Sequence, residues 1–304
     1  MITLQESLRG VFYAPFYAAL AGNAFAEEGV EIRFVSSPTP AQAMEGLMAG
    51  TVDVGWGGPM RVNEAYKLIP GADLKCFAEV VTKDPFFLIS RENLAPFNPS
   101  SLLNLRIGTV SEVPTPWLCL QHDLRLAGID PAALKRVTGN TMAANVAALR
   151  RNELDIVQVF QPFAEELMED GFHLHYAAAD RGLCSYTVFY ARQGVIAAKR
   201  DELAGMVRAM HRTLQWVAKA SPADIAAAMA SYFPTVPLKR LEAACKRYQA
   251  LGIWGRDPVL PRTGYDRLLA SMVSGGFVSP GTPFEQAVDN SLAKAAAAMA
   301  SPPQ

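Results

Sequence analysis

The sequence contains no run approaching the roughly 20 consecutive apolar residues of a membrane span. A basic excess is missing too: 28 Lys and Arg stand against 29 Asp and Glu, a formal net charge of −1. That balance removes the electrostatic case for nucleic acid or an anionic membrane as a partner. Lys239-Arg240 and Lys246-Arg247 lie among apolar residues at helical spacing and read as a solvated helix face. Cysteine is sparse. Cys76, Cys119, Cys184 and Cys245 form no CxxC pair and have no histidine at zinc-site spacing. They read as small buried hydrophobes, and the sequence does not pair them as disulfides.

Motifs for covalent or phosphate chemistry are also lacking. There is no GxSxG elbow and no GxxxxGK[ST]. Gly55-Trp56-Gly57-Gly58-Pro59-Met60 has Met60 where the dinucleotide fingerprint needs its last glycine. Of His122, His173, His175 and His211, only His173 and His175 share a face of a short extended segment, and no third metal ligand is evident. Neither metal nor cofactor is expected. No export signal is visible, because Met1-Ile2-Thr3-Leu4-Gln5-Glu6-Ser7 already reads as a strand. Either an export segment has been removed from this sequence or the protein works in the cytoplasm.

What is present is length and alternation. With 304 residues, half of them hydrophobic, the chain suits two lobes, each with its own interior. Residues 2–8 read as a strand and 14–28 as a helix closed by Gly29, followed by a strand over 30–35. A turn over 36–40 leads into a helix over 41–48, a strand over 52–55 and a loop over 56–59. The plan then repeats. Strands are expected over 106–110, 134–137 and 154–159, with helices over 117–127 and 141–151. Ala43 to Val54 and Asn145 to Ile156 match in character: an apolar helix, a polar break, then apolar-Asp-apolar opening a strand. Such alternation predicts mainly parallel sheets. The β-prone runs 86–90 and 186–191 are taken as two crossing strands forming a hinge. The chain would cross near Asp84-Pro85 and return near Cys184-Ser185. Lobe 1 is then 1–84 with 186–304, and lobe 2 is 85–185. From Lys199 onward the pattern is helical, and the Ala-rich tail from 293 to 304 is expected to fray.

Four stretches carry a family resemblance. They are Ala14-Pro15-Phe16-Tyr17-Ala18-Ala19 leading to Phe25 through Ile32, and Ala49-Gly50-Thr51-Val52-Asp53-Val54-Gly55. The others are Leu105-Arg106-Ile107-Gly108-Thr109, and Leu154-Asp155-Ile156 with Gln161-Pro162-Phe163 and Gly171. In order and spacing the chain resembles, over roughly residues 2 to 280, the type II periplasmic substrate-binding proteins of ABC transporters. The branch is the one serving nitrate, sulfonate, taurine and thiamine-pyrimidine precursors. The resemblance implies an α/β fold of two Rossmann-like lobes joined by a two-strand hinge, with a small polar ligand held in the cleft between them. It further implies a periplasmic location and a monomer that docks on an ABC transporter permease.

In open α/β sheets ligands bind beyond the carboxyl ends of the strands, where helix N-termini present N–H groups. Loop positions there nominate Arg9, Phe12, Tyr13, Thr39, Trp56, Gly57 and Gly58 from the first lobe. The second supplies Ser111, Glu112, Thr115, Trp117, Phe160 and Gln161, and the hinge Glu79 and Tyr186. Many are aromatic, which suits a planar, heteroaromatic guest better than a bare inorganic anion. Trp56, between glycines, is read as stacking on a ligand or as packing, and Tyr13 as contacting it or capping the first helix. Phe12 reads as core. Arg9 either pairs with a ligand carboxylate or lies at the surface. Glu79 either binds a ligand amine or braces the hinge, and Thr39 and Ser111 read as helix caps. Asp53 and Asp155 open their strands on the edge away from the crevice, so a bracing role is expected rather than catalysis.

Two other functions share this fold. One is a cytoplasmic enzyme acting on a small aromatic acid or pyrimidine-like compound. The iron-related, Cys-rich motif of the family's fungal precursor-making relatives has no counterpart here. The other is a ligand sensor acting through a partner.

Overall fold

A computed structural model describes residues 1–39 and 42–300. Pro40 and Ala41, at the expected turn-to-helix junction, lie outside the described residues, as do residues 301–304 of the expected fraying tail.

Short strands, most buried in the sheet interiors and more exposed at the edges, build two five-stranded sheets. The first contains β1 (Ile2–Glu6), β2 (Ile32–Ser36), β3 (Val54–Gly57), β4 (Leu74–Val81) and β10 (Thr187–Arg192). Its order is β2-β1-β3-β10-β4, with β1 parallel to β2 and β3, and β10 antiparallel to β3 and β4. The second contains β5 (Phe87–Ser90), β6 (Arg106–Gly108), β7 (Lys135–Val137), β8 (Ile156–Val159) and β9 (His173–Ala177). Its order is β7-β6-β8-β5-β9, with β6 parallel to β7 and β8, and β5 antiparallel to β8 and β9. The two halves share one topology, and each receives its antiparallel strand just after the chain has crossed from the other.

This corrects the expectation for the two β-prone runs. They are not a hinge themselves. Residues 87–90 and 187–192 are interior strands, and their largely apolar character is what burial on both faces requires. The crossings are the segments immediately before them. These pair with each other: Cys184 N donates to Thr82 O and Tyr186 N to Val81 O, both at 2.9 Å.

Local signals explain most element ends. The expected helix over 14–28 is two helices, Ala14–Ala21 and Ala24–Glu27, interrupted at Asn23 in the left-handed region (φ 56°). Thr141 caps the helix Met142–Arg150 by accepting from Ala144 N. The third strand begins two residues later than expected, so Trp56 and Gly57 belong to β3 rather than to the loop after it.

Asp53 and Asp155 brace the sheets as expected, and identically. Asp53 accepts from Thr3 N at 2.8 Å, and Asp155 from Arg106 N at 2.7 Å. Each ties the entry of one parallel strand to the entry of its neighbour.

After β10 the described chain is helical, and two of these helices reach the second half. Arg262–Ser274 packs on Thr115–Leu126. Leu238–Leu251 packs on Phe163–Glu169, where Arg247 Nε meets Glu165 Oε1 at 2.5 Å and Arg240 Nη2 meets Glu169 Oε2 at 2.6 Å. Arg240 and Arg247 therefore bind the other half instead of lying on a solvated face. Apolar packing is continuous across the seam, since Phe12, Phe86, Phe160 and Tyr186 share one buried cluster with residues of both sheets.

Candidate functional site

Parallel strands deliver their following loops to one edge, and in this chain the two edges face each other. Ser7 follows β1, Gly58 follows β3, Val113 and Thr115 follow β6, and Phe160 follows β8. All of them line a cavity of about 30 Å³ at the seam, together with Leu8, Phe12, Tyr13, Met60, Arg61, Phe86 and Tyr186. That volume holds a few waters at most and is far below the roughly 300–1,000 Å³ of ligand pockets. The halves are thus closed on each other, and a larger guest enters only as they separate.

Most of the wall is aromatic. Phe160 meets Phe12 and Phe86 edge-on, each with centroids 5.3 Å apart, and Phe12 meets Tyr186 edge-on at 6.4 Å. These are the offset geometries that ring quadrupoles favour. Polar groups are few. Tyr13 OH lies 3.5 Å from Ser7 Oγ, and burial pushes the Tyr13 phenol up to about 12, so it is a neutral donor. The Tyr186 hydroxyl is buried with no hydrogen-bond partner among the described residues, and burial raises it well above the ordinary tyrosine value. Arg61, only 7% exposed, donates from Nη1 to Glu64 Oε2 at 2.8 Å. The helices Met60–Leu68 and Thr115–Leu126 both begin here, behind Pro59 and Pro114, and neither has a side-chain cap.

Of the expected residues, Phe12, Tyr13, Gly58, Thr115, Phe160 and Tyr186 come together at the cavity. The rest are placed elsewhere, for physical reasons. Trp56 is fully buried, its ring stacked between Phe16 (4.4 Å) and Phe34 (5.2 Å), so both faces are covered by protein. A Cβ on Gly57 would meet Ser7 Oγ and Tyr190 OH at 3.1 Å each; that glycine serves close packing within the sheet. Arg9 binds Glu6 and lies over the Tyr17 and Tyr232 rings. Thr39 bonds Gln42 at the surface. Glu79 is buried in β4 behind the crossings. Ser111 donates to Asn140 O at 2.6 Å, and Glu112 accepts from Met142 N at 2.7 Å, holding the start of Met142–Arg150. Trp117 faces outward beneath Arg136, 4.0 Å from ring centroid to guanidinium carbon. The Gln161 side chain accepts from Glu165 N and donates from Nε2 to Glu165 Oε1, and the Gln161 backbone N–H donates to Tyr248 OH.

Ser7, Leu8, Met60, Arg61, Phe86 and Val113 were missed. The clue for Met60 and Arg61 was Pro59. A proline opening a helix just past a strand places the next residues at the crevice.

Comparison with known proteins follows from this geometry. The model of the NMT1/THI5-like family matches residues 12–224. The chain belongs to that family. It is 25% identical over 299 residues to a Bacillus subtilis (strain 168) protein assigned as the binding protein YtlA, spanning 96% of this chain and 89% of that one. Its fold matches the periplasmic sulfonate-binding protein SsuA of Methylobacillus flagellatus KT with TM-score 0.75 at 15% identity, over 98% and 94% of the two chains. The desulfurization enzyme DszB matches with TM-score 0.70 at 14% identity, over 98% and 99%. The fold of this NMT1/THI5-like protein is therefore that of type II periplasmic binding proteins, with two mixed α/β sheets.

Proposed function

We propose that this NMT1/THI5-like protein is a solute-binding protein that captures a small, planar ligand between its halves and delivers it to an ABC transporter permease. One observation carries the reading: loops from the carboxyl ends of two like sheets meet at a seam spanned by two crossings. A ligand touching both halves favours the closed form by its differential affinity for that state. The lobes are residues 1–84 with 186–304, and 85–185. The periplasmic SsuA likeness supports a place outside the cytoplasm, and we infer that the protein acts there as a monomer.

The DszB likeness motivates a second reading, an enzyme. The cavity lining argues against it, because among the described residues it includes no His, Cys, Asp or Glu. The hydroxyls that line it, Ser7, Tyr13, Thr115 and Tyr186, are weak nucleophiles unless a general base stands beside them. All four cysteines are buried, and burial holds the Cys245 thiol up at about 12.

Thermal unfolding of the full chain against alkanesulfonates, aryl sulfonates, aromatic acids and pyrimidines tests the proposal. At least one class should raise the melting temperature with ligand concentration, and NMR should recover that ligand unchanged. Conversion of the ligand would establish the enzyme reading instead.

A further inference from the structure

The cavity has two chemically different sides. Phe12, Phe86 and Phe160 form an apolar, ring-shaped belt on one. On the other, Arg61, Tyr13 and Ser7 line the wall, with Ser7 Oγ 3.5 Å from Tyr13 OH. Arg61 is more than nine-tenths buried, yet only Nη1 has a partner; its Nε and Nη2 bond to nothing among the described residues. Guanidinium carries five donors in a rigid fork, and those Arg61 leaves open remain free to take an acceptor. Glu64, the one internal partner, is on the outer side, its side chain 28% exposed. The uncapped N-terminus of the nine-residue helix Met60–Leu68 adds positive potential at the same point. Independently, Tyr186 lines the cavity with a buried hydroxyl that no protein atom satisfies.

We propose that Arg61 makes this cleft selective for an aromatic monoanion, a flat ring bearing one carboxylate or sulfonate. The ring lies among Phe12, Phe86 and Phe160. The anionic oxygens take the open donors of Arg61, and Tyr186 supplies one further hydrogen bond. This deepens the solute-binding reading and rests on it.

Calorimetric titration of the full chain uses benzoate and benzenesulfonate as probes. Benzamide serves as the uncharged isostere and methanesulfonate as the anion without a ring. One aryl anion should bind roughly tenfold or more tightly than benzamide, as a charge-assisted fork-to-anion bond requires, and the two anions compared show which head group fits. Arg61→Gln should remove that preference while leaving benzamide unchanged. Glu64→Gln, at a partly exposed position that does not threaten folding, should strengthen aryl-anion binding severalfold by freeing the guanidinium. Unaltered benzoate affinity in Arg61→Gln, or no gain in Glu64→Gln, overturns the role of Arg61. If methanesulfonate binds as well as benzenesulfonate, the aromatic class is wrong and solute binding stands. Should no probe of any class bind, the solute-binding reading itself falls.

Discussion

Arg181 and Asp84 form an ion pair sealed from solvent where the chain passes between the two sheets. The Arg181 side chain is 4% exposed and that of Asp84 not at all. Asp84 lies on the outward crossing and Arg181 on the return. Arg181 also binds Asp123 of the helix Thr115–Leu126, Nη2 to Oδ2 at 2.6 Å. Asp84 Oδ1 accepts from Phe86 N at 2.9 Å, fixing the turn that aims Phe86 at the cavity. One guanidinium thus holds both crossings and the second half together.

Removing that guanidinium strands a buried carboxylate. Breaking one partner of such a pair costs about 3–5 kcal/mol, whereas replacing both together is far milder. Arg181→Met should lower the unfolding free energy from urea titration by an amount in that range, and Arg181→Met with Asp84→Asn should recover most of it. A single variant as stable as the parent would show that the pair contributes nothing.

Glu79 gives the stability a pH dependence of definite sign. It is 3% exposed, its Oε1 has no partner, and burial raises its pKa from 4.5 to about 8, with Asp257 adding to the rise. The Ser185 and Thr82 hydroxyls oppose the shift without cancelling it. Below pH 4.5 the carboxyl is protonated both folded and unfolded. Above that, only the folded state keeps the proton, so the unfolded state gains by about 1.4 kcal/mol per pH unit. The stabilisation is therefore lost as pH rises toward 8 and the dependence then levels off. Urea titrations between these limits should show this decline in the parent and a flatter profile in Glu79→Gln.

Much of this was legible because it is local. The strand–helix alternation and the helix starting at Thr141 depend on residues within a few positions, and the duplicated pattern of 43–54 and 145–156 reports two like halves, so the bracing roles of Asp53 and Asp155 could be read although their partners Thr3 and Arg106 are 50 and 49 residues away. The crossing points near Asp84 and Cys184 could also be read, because aromatic and branched runs mark strands whichever sheet they join. What could not be read depended on contacts distant in sequence. Nothing near Arg240 or Arg247 announces Glu165 and Glu169 some 70 to 82 residues away. The backbone N–H of Gln161 looked free because its acceptor, Tyr248 OH, is 87 residues on. Arg61 escaped for a different reason. Starting the third strand two residues early left Trp56 and Gly57 in the loop and drew attention away from the helix start where the charged group sits.

That slip in register gives Trp56 a sharp test. A ligand-stacking tryptophan would lose affinity on truncation and leave stability nearly intact. The structure requires the reverse. Phe16 and Phe34 cover its two faces, Tyr13 and Tyr17 meet its edges at 5.9 and 5.8 Å, and its Nε1 has no partner to lose. Trp56→Ala opens a core cavity and should cost about 3–5 kcal/mol. Trp56→Phe keeps a stacked ring, removes an unsatisfied N–H and leaves a smaller void than alanine does, so its loss should be distinctly smaller. Urea unfolding measures both. Titration of the still-folded Trp56→Phe with a ligand found by thermal screening should give nearly the parent affinity, the ring having no face toward the seam. A large affinity loss with unchanged stability would return Trp56 to the binding site.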